Sequence, residues 1–302
     1  MNTHVGPAVR RVSPALAATL LVMTLAACNL LGNGYQLDQE RGQARAALQR
    51  WDAAAAAASD QALVVVGDLT GQIGNWEEAV GDNKLALIAG KVEAAVALPT
   101  ETPPPAVVRW DDGSTRTLPV ISAAQAVEDI KASGEQACPD CDALAITGAT
   151  LTSVEVETNR GPARAPAWDF TLQGTAVDLT RVAVAAGARI TVTPPDPSQS
   201  AVGLSIESAS GSADSRELTV SFTGAPDPAS KPCGADYSGE AVESTTAVVV
   251  IVIESSNPQI GACSAVGATR TATVQLASPL GNRAVLDVRQ GLPVPVTLTP
   301  TP

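Results

Sequence analysis

The chain contains 302 residues, of which 31 are acidic and 19 are basic, and its formal net charge is −12. This length is enough for about two domains. The acidic balance argues against nucleic acid as a partner, because affinity for phosphates comes from clustered Lys and Arg. For the same reason it argues against docking on an anionic lipid surface through a basic patch.

The N-terminus has the three parts of an export signal. Arg10 and Arg11 form a basic start, and Ala15 to Ala27 form an apolar stretch. That stretch is shorter than the about 20 apolar residues that a membrane-spanning helix needs. It ends in Leu25-Ala26-Ala27-Cys28, which resembles the lipobox of bacterial lipoproteins.

In proteins with a lipobox, a diacylglyceryl group is joined to the cysteine by a thioether, and a dedicated peptidase cuts just before that cysteine. The resemblance implies that residues 1–27 are a signal peptide and that Cys28 is lipidated. Two acyl chains would hold the protein on the outer face of the cell membrane, since one chain binds only marginally. A plain secretory signal and an uncleaved anchor are the alternatives. Cleavage would also remove His4, the only histidine of the chain.

Residues 28–36 are expected to be the lipid-anchored tether, and residues 37–134 are expected to form a small α+β unit. Apolar residues recur at helical spacing between Leu37 and Ala58, and they predict a helix that packs on the strands that follow. Strands are predicted at Ala62–Val66, Lys84–Ala89 and Val92–Leu98. Helix is the alternative for the last two.

A hairpin and a second helix complete this unit. The turn sequence Asp111-Asp112-Gly113-Ser114 between Val107–Trp110 and Thr115–Val120 indicates a β-hairpin. Ser122 is a suitable N-cap for a helix that continues to Ala132.

Residues 135–302 are predicted to be rich in β-structure. Apolar and polar residues alternate in short segments such as Trp168 to Gln173 and Leu218 to Phe222, and the apolar run from Ala247 to Ile253 indicates a buried strand. The predicted fold class is an α+β N-terminal unit followed by a mainly antiparallel, sandwich-like β region. The Pro-rich stretch at 194–201 either divides this region into two units or forms one long loop within a single domain.

Four cysteines follow the lipobox, and an even number in an exported chain favours disulfides. Of three pairings, Cys138–Cys141 and Cys233–Cys263 are favoured because each couple lies within one local segment. A redox site at the first couple is an alternative, but this motif follows a predicted helix instead of opening one, and neighbouring acids disfavour a thiolate. A four-cysteine zinc site is another alternative, and it would need the paired motif on both sides.

Two groups of short motifs stand out in the β region. The first is Thr158-Asn159-Arg160-Gly161-Pro162-Ala163, followed by Pro166-Ala167-Trp168-Asp169-Phe170. The second is Lys231-Pro232-Cys233-Gly234-Ala235-Asp236-Tyr237, followed by Cys263, Pro279-Leu280-Gly281-Asn282-Arg283 and Gly291-Leu292-Pro293-Val294. Together they resemble a family of uncharacterised bacterial lipoproteins, mostly actinobacterial. The likeness extends over residues 138–296 and implies export, lipidation and disulfides, but no catalytic activity.

The sequence offers little for catalysis. Without histidine, the mature chain cannot form Ser-His-Asp or Cys-His arrangements or His-bearing metal sites. The chain contains no phosphate-loop or calcium-loop pattern, and no cofactor or metal is predicted. Carboxylate pairs, Glu155 with Glu157 or Asp111 with Asp112, would still allow glycoside hydrolysis. Acids in a hairpin turn or alternating along a strand normally face solvent instead.

The polar clusters most suggestive of a recognition role are Arg160 in its turn and Asp236-Tyr237 beside Cys233. They are candidate recognition loops, and the alternative is that they anchor their own turns. The sequence therefore predicts a lipid-anchored, exported, non-enzymatic envelope protein that binds or scaffolds an unidentified envelope protein or ligand. A solute-binding lipoprotein of a transporter and a carboxylate-dependent envelope hydrolase are the alternatives.

Overall fold

The protein is built mainly from antiparallel β-sheets, preceded by one long helix, and this confirms the predicted fold class. The computed structural model describes residues 15–76, 82–134, 137–196, 201–256 and 263–299, with side chains described from residue 35 onward. Its helices are α1 (Ala15–Ala57), α2 (Asn83–Ile88) and α3 (Ala123–Ala132).

The first sheet contains eight strands within the described residues. They are β1 (Val65–Val66), β2 (Thr70–Ile73), β3 (Val92–Ala94), β4 (Ala106–Trp110), β5 (Thr115–Leu118), β6 (Leu144–Thr158), β7 (Ala163–Leu172) and β8 (Asp178–Val182). The main path runs β1-β6-β7-β4-β5, with β3 beside β6, and with β8 joining β7 to β2. Helices α2 and α3 cover one face, where Ala126, Val127 and Ile130 are buried.

The second half is a β-sandwich. One layer contains β9 (Ile206–Gly211), β10 (Glu217–Gly224), β13 (Ala268–Gln275) and β15 (Val296–Leu298), in the order β13-β10-β9-β15. The other contains β11 (Ala235–Glu243), β12 (Ala247–Ser256) and β14 (Ala284–Asp287), in the order β11-β12-β14. The predicted alternation is confirmed on β10, where Leu218, Val220 and Phe222 are fully buried between the layers.

Strand β12 is buried on both faces, as its unbroken apolar sequence predicted. Val248, Val250 and Val252 face the sandwich core, whereas Ala247, Val249 and Ile251 face helix α1. The helix contributes a stripe of buried side chains to this second face: Ala44, Ala47, Leu48 and Trp51. A strand with apolar residues at every position needs cover on each side, and α1 supplies the second cover.

Several local predictions need correction. Residues 28–36, predicted as the tether, are helical as part of α1. The helix packs on β12, about 200 residues along the chain, and not mainly on the strands that follow it. The segment predicted as a strand at Lys84–Ala89 is helix α2, the alternative that its Ala and Leu content left open. Of Val92–Leu98, only Val92–Ala94 forms a strand.

The division predicted between residues 134 and 135 does not separate two sheets. Strand β3 pairs in parallel with β6, and β4 pairs with β7, so both sides of that division belong to one sheet. The change from the first sheet to the sandwich falls between β8 and β9. The stretch at 194–201 lies in this interval, and its residues 197–200 are outside the described part.

Both favoured disulfides are present. Cys138 and Cys141 have Cα atoms 5.4 Å apart, and Cys233 and Cys263 have Cα atoms 5.7 Å apart. Lys91 donates hydrogen bonds to the carbonyls of Pro139 and Cys141, which fixes the first disulfide loop beside β3. Disulfides are typical of exported proteins. Within the described residues, no helix is both long enough and apolar enough to cross a lipid bilayer.

The docking of α1 can be tested with Trp51→Ala. Trp51 is 1% exposed, and removal of a buried aromatic side chain costs about 3–5 kcal/mol in free energy of unfolding. Tyr35→Ala is the matched control on the same helix, because Tyr35 is 68% exposed and its loss should change stability by less than about 0.5 kcal/mol. Urea unfolding followed by circular dichroism measures both. Equal effects of the two substitutions would show that α1 does not depend on this contact.

Candidate functional site

A cleft of about 650 Å³ lies where α1, the first sheet and the sandwich meet. We call it the junction cleft. It is lined by Trp51, Asp52, Ala55, Ala56, Ser59, Asp60, Ala62, Leu63, Val64, Trp110, Arg116, Asn159, Arg160, Ile190, Thr245, Thr246, Asn282, Arg283 and Ala284. Its volume falls within the range of small-molecule sites, and junctions between units of a fold are a common place for them.

The turn that carries Arg160 is held by one buried hydroxyl group. The Thr158 side chain is fully buried, donates to the carbonyl of Gly161 at 2.6 Å and accepts from the backbone N–H of Arg160 at 3.0 Å. It also accepts from the indole N–H of Trp110 at 3.0 Å. Gly161 has φ of 94°, a conformation that favours glycine. The turn is therefore fixed against the end of β4, and Arg160 is held at the wall of the cleft.

Two arginines contact the ring of Trp110. The guanidinium carbon of Arg160 lies 5.0 Å from the ring centroid, and that of Arg116 lies 5.4 Å from it. Both distances are within the range of cation–π attraction. Trp110 itself is 3% exposed, so its ring is a rigid support for both positive charges.

The hairpin register explains why Arg116 lies there. Arg116 is the cross-strand partner of Val108, and side chains two residues apart on a strand share a face. Val108 and Trp110 are both buried on that face. Arg116 also donates to the backbone carbonyls of Gln61 and Ala62, which joins the hairpin to the segment after α1.

The two arginines are incompletely neutralised. Burial and the nearby charge of Arg160 both lower the pKa of Arg116. Arg160 forms an ion pair with Asp112, whose Oδ2 lies 3.5 Å away and whose side chain is 56% exposed. Asp112 also accepts a hydrogen bond from the backbone N–H of Ser114 at 2.7 Å. Hydrogen bonding from Ser114, with the charge of Arg160, lowers the pKa of Asp112, so this carboxylate is ionised at neutral pH.

The opposite wall contains a carboxylate that is already occupied. Asp52 on α1 accepts hydrogen bonds from the hydroxyls of Ser244 at 2.8 Å and Thr246 at 2.5 Å. These bonds join the helix to the turn between β11 and β12. Asp60 is exposed at the rim. The lining also contains small or aliphatic side chains such as Ala55, Ala56 and Ile190, beside polar ones such as Ser59 and Thr245.

Arg283 holds the loop that closes the cleft on the sandwich side. It forms an ion pair with Glu243 at 2.6 Å and donates to the carbonyls of Ser278, Pro279 and Leu280. The motif Pro279-Leu280-Gly281-Asn282-Arg283 is thus a loop organised by its own arginine. The neighbouring Asn282 accepts a hydrogen bond from the Asn159 side chain at 3.1 Å, which links the loop to the Arg160 turn.

Arg160 and the second predicted recognition cluster have different surroundings. Asp236 and Tyr237 lie in strand β11, and not in a loop. The Tyr237 hydroxyl accepts from the backbone N–H of Ala225 at 2.6 Å, and its ring packs edge-on against Phe222 at 4.9 Å. Asp236 accepts from the backbone N–H of Ala229. These contacts give the pair a structural role, the alternative weighed for it from the sequence, whereas Arg160 faces a cleft.

The carboxylates considered for hydrolysis are not gathered in this cleft. Glu155 and Glu157 lie on the exposed side of β6, and Asp111 is exposed in the hairpin turn. Among the described residues, no group of three His, Cys, Asp or Glu side chains is placed to hold a metal ion.

Sequence reasoning missed Trp110 and Arg116 as parts of the site. A hairpin with residues 111–114 as its turn pairs Arg116 with Arg109, whereas in the structure Arg116 pairs with Val108 and so shares the face of Trp110. No pattern in the sequence around α1 indicates that this helix lines the cleft, because the residues that it meets there lie near positions 245 and 284.

Comparison with known proteins adds no relative: no family model, curated protein or solved structure matches the chain.

The ion pair that closes the cleft can be tested with Glu243→Gln. Burial alone would raise the pKa of Glu243, but hydrogen bonds from the Ala277 backbone N–H and Arg283 outweigh it and lower the pKa. The ionised form therefore stabilises the fold above the unfolded pKa of about 4.3, and this contribution is lost as pH falls through the lower folded pKa.

At pH 7 we expect Glu243→Gln to lower the free energy of unfolding by about 1–3 kcal/mol, with the difference from wild type shrinking below about pH 4. Urea unfolding from pH 3 to pH 7 measures this difference. The control Glu101→Gln changes an exposed loop carboxylate and should have little effect. A difference that does not depend on pH would contradict the assigned role of the charge.

Proposed function

We propose that the chain is an exported, lipid-anchored, non-enzymatic binding protein of the cell envelope, and that its junction cleft is the binding site. The observation that carries the proposal is the position of Arg160. The sequence singled out this residue, and its side chain lies with Arg116 on the Trp110 ring in a cleft between two β assemblies. Rigid scaffolds that hold polar side chains at loop positions are a common basis of recognition.

Export and lipidation are supported by the lipobox-like residues 25–28 and by the two disulfides. Cleavage before Cys28 would leave α1 with the lipid at its first residue. At 1.5 Å per residue, the 23 residues from Cys28 to Trp51 correspond to about 35 Å of helix. The anchor and the junction cleft would therefore lie towards opposite ends of one helix, with the cleft directed away from the membrane surface.

A binding role suits the chemistry of the cleft better than a hydrolytic one. Glycoside hydrolysis needs a carboxyl group that can donate a proton as well as an ionised partner. Asp112 has a lowered pKa, and Asp52 is engaged by two hydroxyl groups. In contrast, the arginines, the Trp110 ring and the aliphatic side chains of the lining are groups that bind a ligand without titrating near neutral pH.

A transporter solute-binding protein is the weaker alternative. Such proteins usually have two α/β lobes with alternating strands and helices. Here the two sides of the cleft are a mixed sheet and a β-sandwich. The fold therefore does not favour this alternative, and only the presence of a cleft supports it.

Lipidation is tested by Cys28→Ser. We expect the wild-type protein to partition into the detergent phase of a Triton X-114 extract and to stay on membranes in high salt, because two acyl chains anchor stably. Cys28→Ser should move to the aqueous phase or accumulate as the uncleaved precursor. Wild-type protein that washes off membranes in high salt without detergent would contradict the anchor.

Binding through the cleft is tested by site-specific photocrosslinking in intact cells. A p-benzoylphenylalanine at position 59, where Ser59 lines the cleft, should form an adduct with the bound molecule, detected by mass spectrometry. The same group at position 150, where Thr150 is exposed on β6, is the control position and should not.

The adduct at position 59 should disappear in Arg160→Ala and persist in Arg164→Ala, which removes an exposed arginine from neighbouring strand β7. Equal adducts at positions 59 and 150, or an adduct that Arg160→Ala leaves unchanged, would count against the cleft as the binding site.

A further inference from the structure

We infer that the junction cleft binds a small organic anion, whose acidic group lies between Arg116 and Arg160 and whose apolar body lies against α1. This inference rests on the proposed binding function and specifies the class of ligand. The ligand chemistry is a compact oxyanion, carboxylate, sulfonate or phosphate, attached to an apolar group that fits within about 650 Å³.

The acidic group is indicated by two guanidinium groups that share one aromatic support. Arginine presents planar donors that match an oxyanion, and stacking on an indole leaves the edge of the guanidinium free to donate. The guanidinium groups of Arg116 and Arg160 both lie close to the Trp110 ring, and both side chains line the cleft. The charge of Arg160 is near enough to lower the pKa of Arg116. Two like charges near each other are stabilised by a shared anion.

Both arginines have donor groups to spare. Arg160 contacts Ser114 Oγ at 3.4 Å and Asp112 at 3.5 Å, both through the same terminal nitrogen. Arg116 uses one terminal nitrogen for the carbonyls of Gln61 and Ala62. Within the described residues, the other nitrogens of these two side chains have no hydrogen-bond partner. In comparison, Arg283 in the same cleft is engaged by Glu243 and four carbonyls, and we do not expect it to bind the ligand.

The carboxylates in and beside the cleft limit where the anion can bind. Asp112 competes for Arg160, but it is mostly exposed and lies at the edge of hydrogen-bonding distance, so it is a weak competitor. Asp52 and Asp60 line the wall formed by α1 and the segment after it. An anion is therefore favoured beside Trp110 and disfavoured beside the helix end, which leaves Ala55, Ala56 and Ile190 to contact an uncharged, apolar body.

The test uses two fluorescent probes that share an apolar body and differ in charge. 1-Anilinonaphthalene-8-sulfonate contains the oxyanion, and N-phenyl-1-naphthylamine lacks it. Each is titrated against the full-length folded protein and against Arg116→Gln, Arg160→Gln and Arg164→Gln. Near-UV circular dichroism of each variant establishes that the fold is retained.

We expect Arg116→Gln and Arg160→Gln each to weaken sulfonate binding by about tenfold, the usual worth of one charge-assisted hydrogen bond, and to change binding of the neutral probe by less than about twofold. Arg164→Gln should leave the affinity for both probes within about twofold of wild type, because an exposed charge away from the cleft is screened.

Asp112→Asn should strengthen sulfonate binding, since it removes the competing carboxylate. A hydrolase that uses Asp112 would instead lose turnover in this variant.

Displacement of the sulfonate by phenylacetate or by phenyl phosphate then identifies the preferred acid, with benzyl alcohol as the uncharged control. The inference is overturned if the wild type does not bind the sulfonate, if both cleft variants bind it as wild type does, or if benzyl alcohol displaces it as well as the acids do. In those cases a crosslink at position 59 that depends on Arg160 would still support the proposed function. The two experiments therefore distinguish a wrong class of ligand from a wrong binding site.

Discussion

The packing of helix α1 on strand β12 is the contact on which the rest of the structure depends. It covers the second apolar face of a strand whose first face is the core of the sandwich. Because α1 is followed directly by β1 and β2 of the first sheet, the same contact brings the two β assemblies together. The junction cleft is a consequence, since Trp51 and the chain segments that meet around the end of α1 line it.

The site on this cleft is built from a short turn and a short loop, each held by its own hydrogen bonds. The Thr158 hydroxyl fixes the Arg160 turn to Trp110, and Arg283 organises the loop on the other side. The Asn159–Asn282 hydrogen bond connects the two pieces. These hydrogen bonds hold the turn and the loop in place, so Arg116 and Arg160 can bind a ligand without a large entropic cost.

Motifs that looked functional in the sequence have different roles in the structure. Tyr237 supports the end of β10, and the Cys138–Cys141 loop is fixed by Lys91 beside β3. Arg160 was predicted because an arginine in a Gly-Pro turn is conspicuous. Arg116 was missed because on its own it is one polar residue of a hairpin strand, and only the register with Val108 and Trp110 places it on the buried face.

The sequence by itself determined the features that arise from local interactions: alternating strands, the Ser122 cap, the hairpin at Asp111 to Ser114 and the two short-range disulfides. It also showed that Ala247 to Ile253 must be buried. Tertiary structure alone decided that α1 is the cover for that strand, that β3 and β4 join β6 and β7 in one sheet, and that two arginines meet on one indole. An apolar stripe specifies burial but not its partner, because the hydrophobic effect is non-directional, so pairings between distant segments depend on the shape and register of the complete fold.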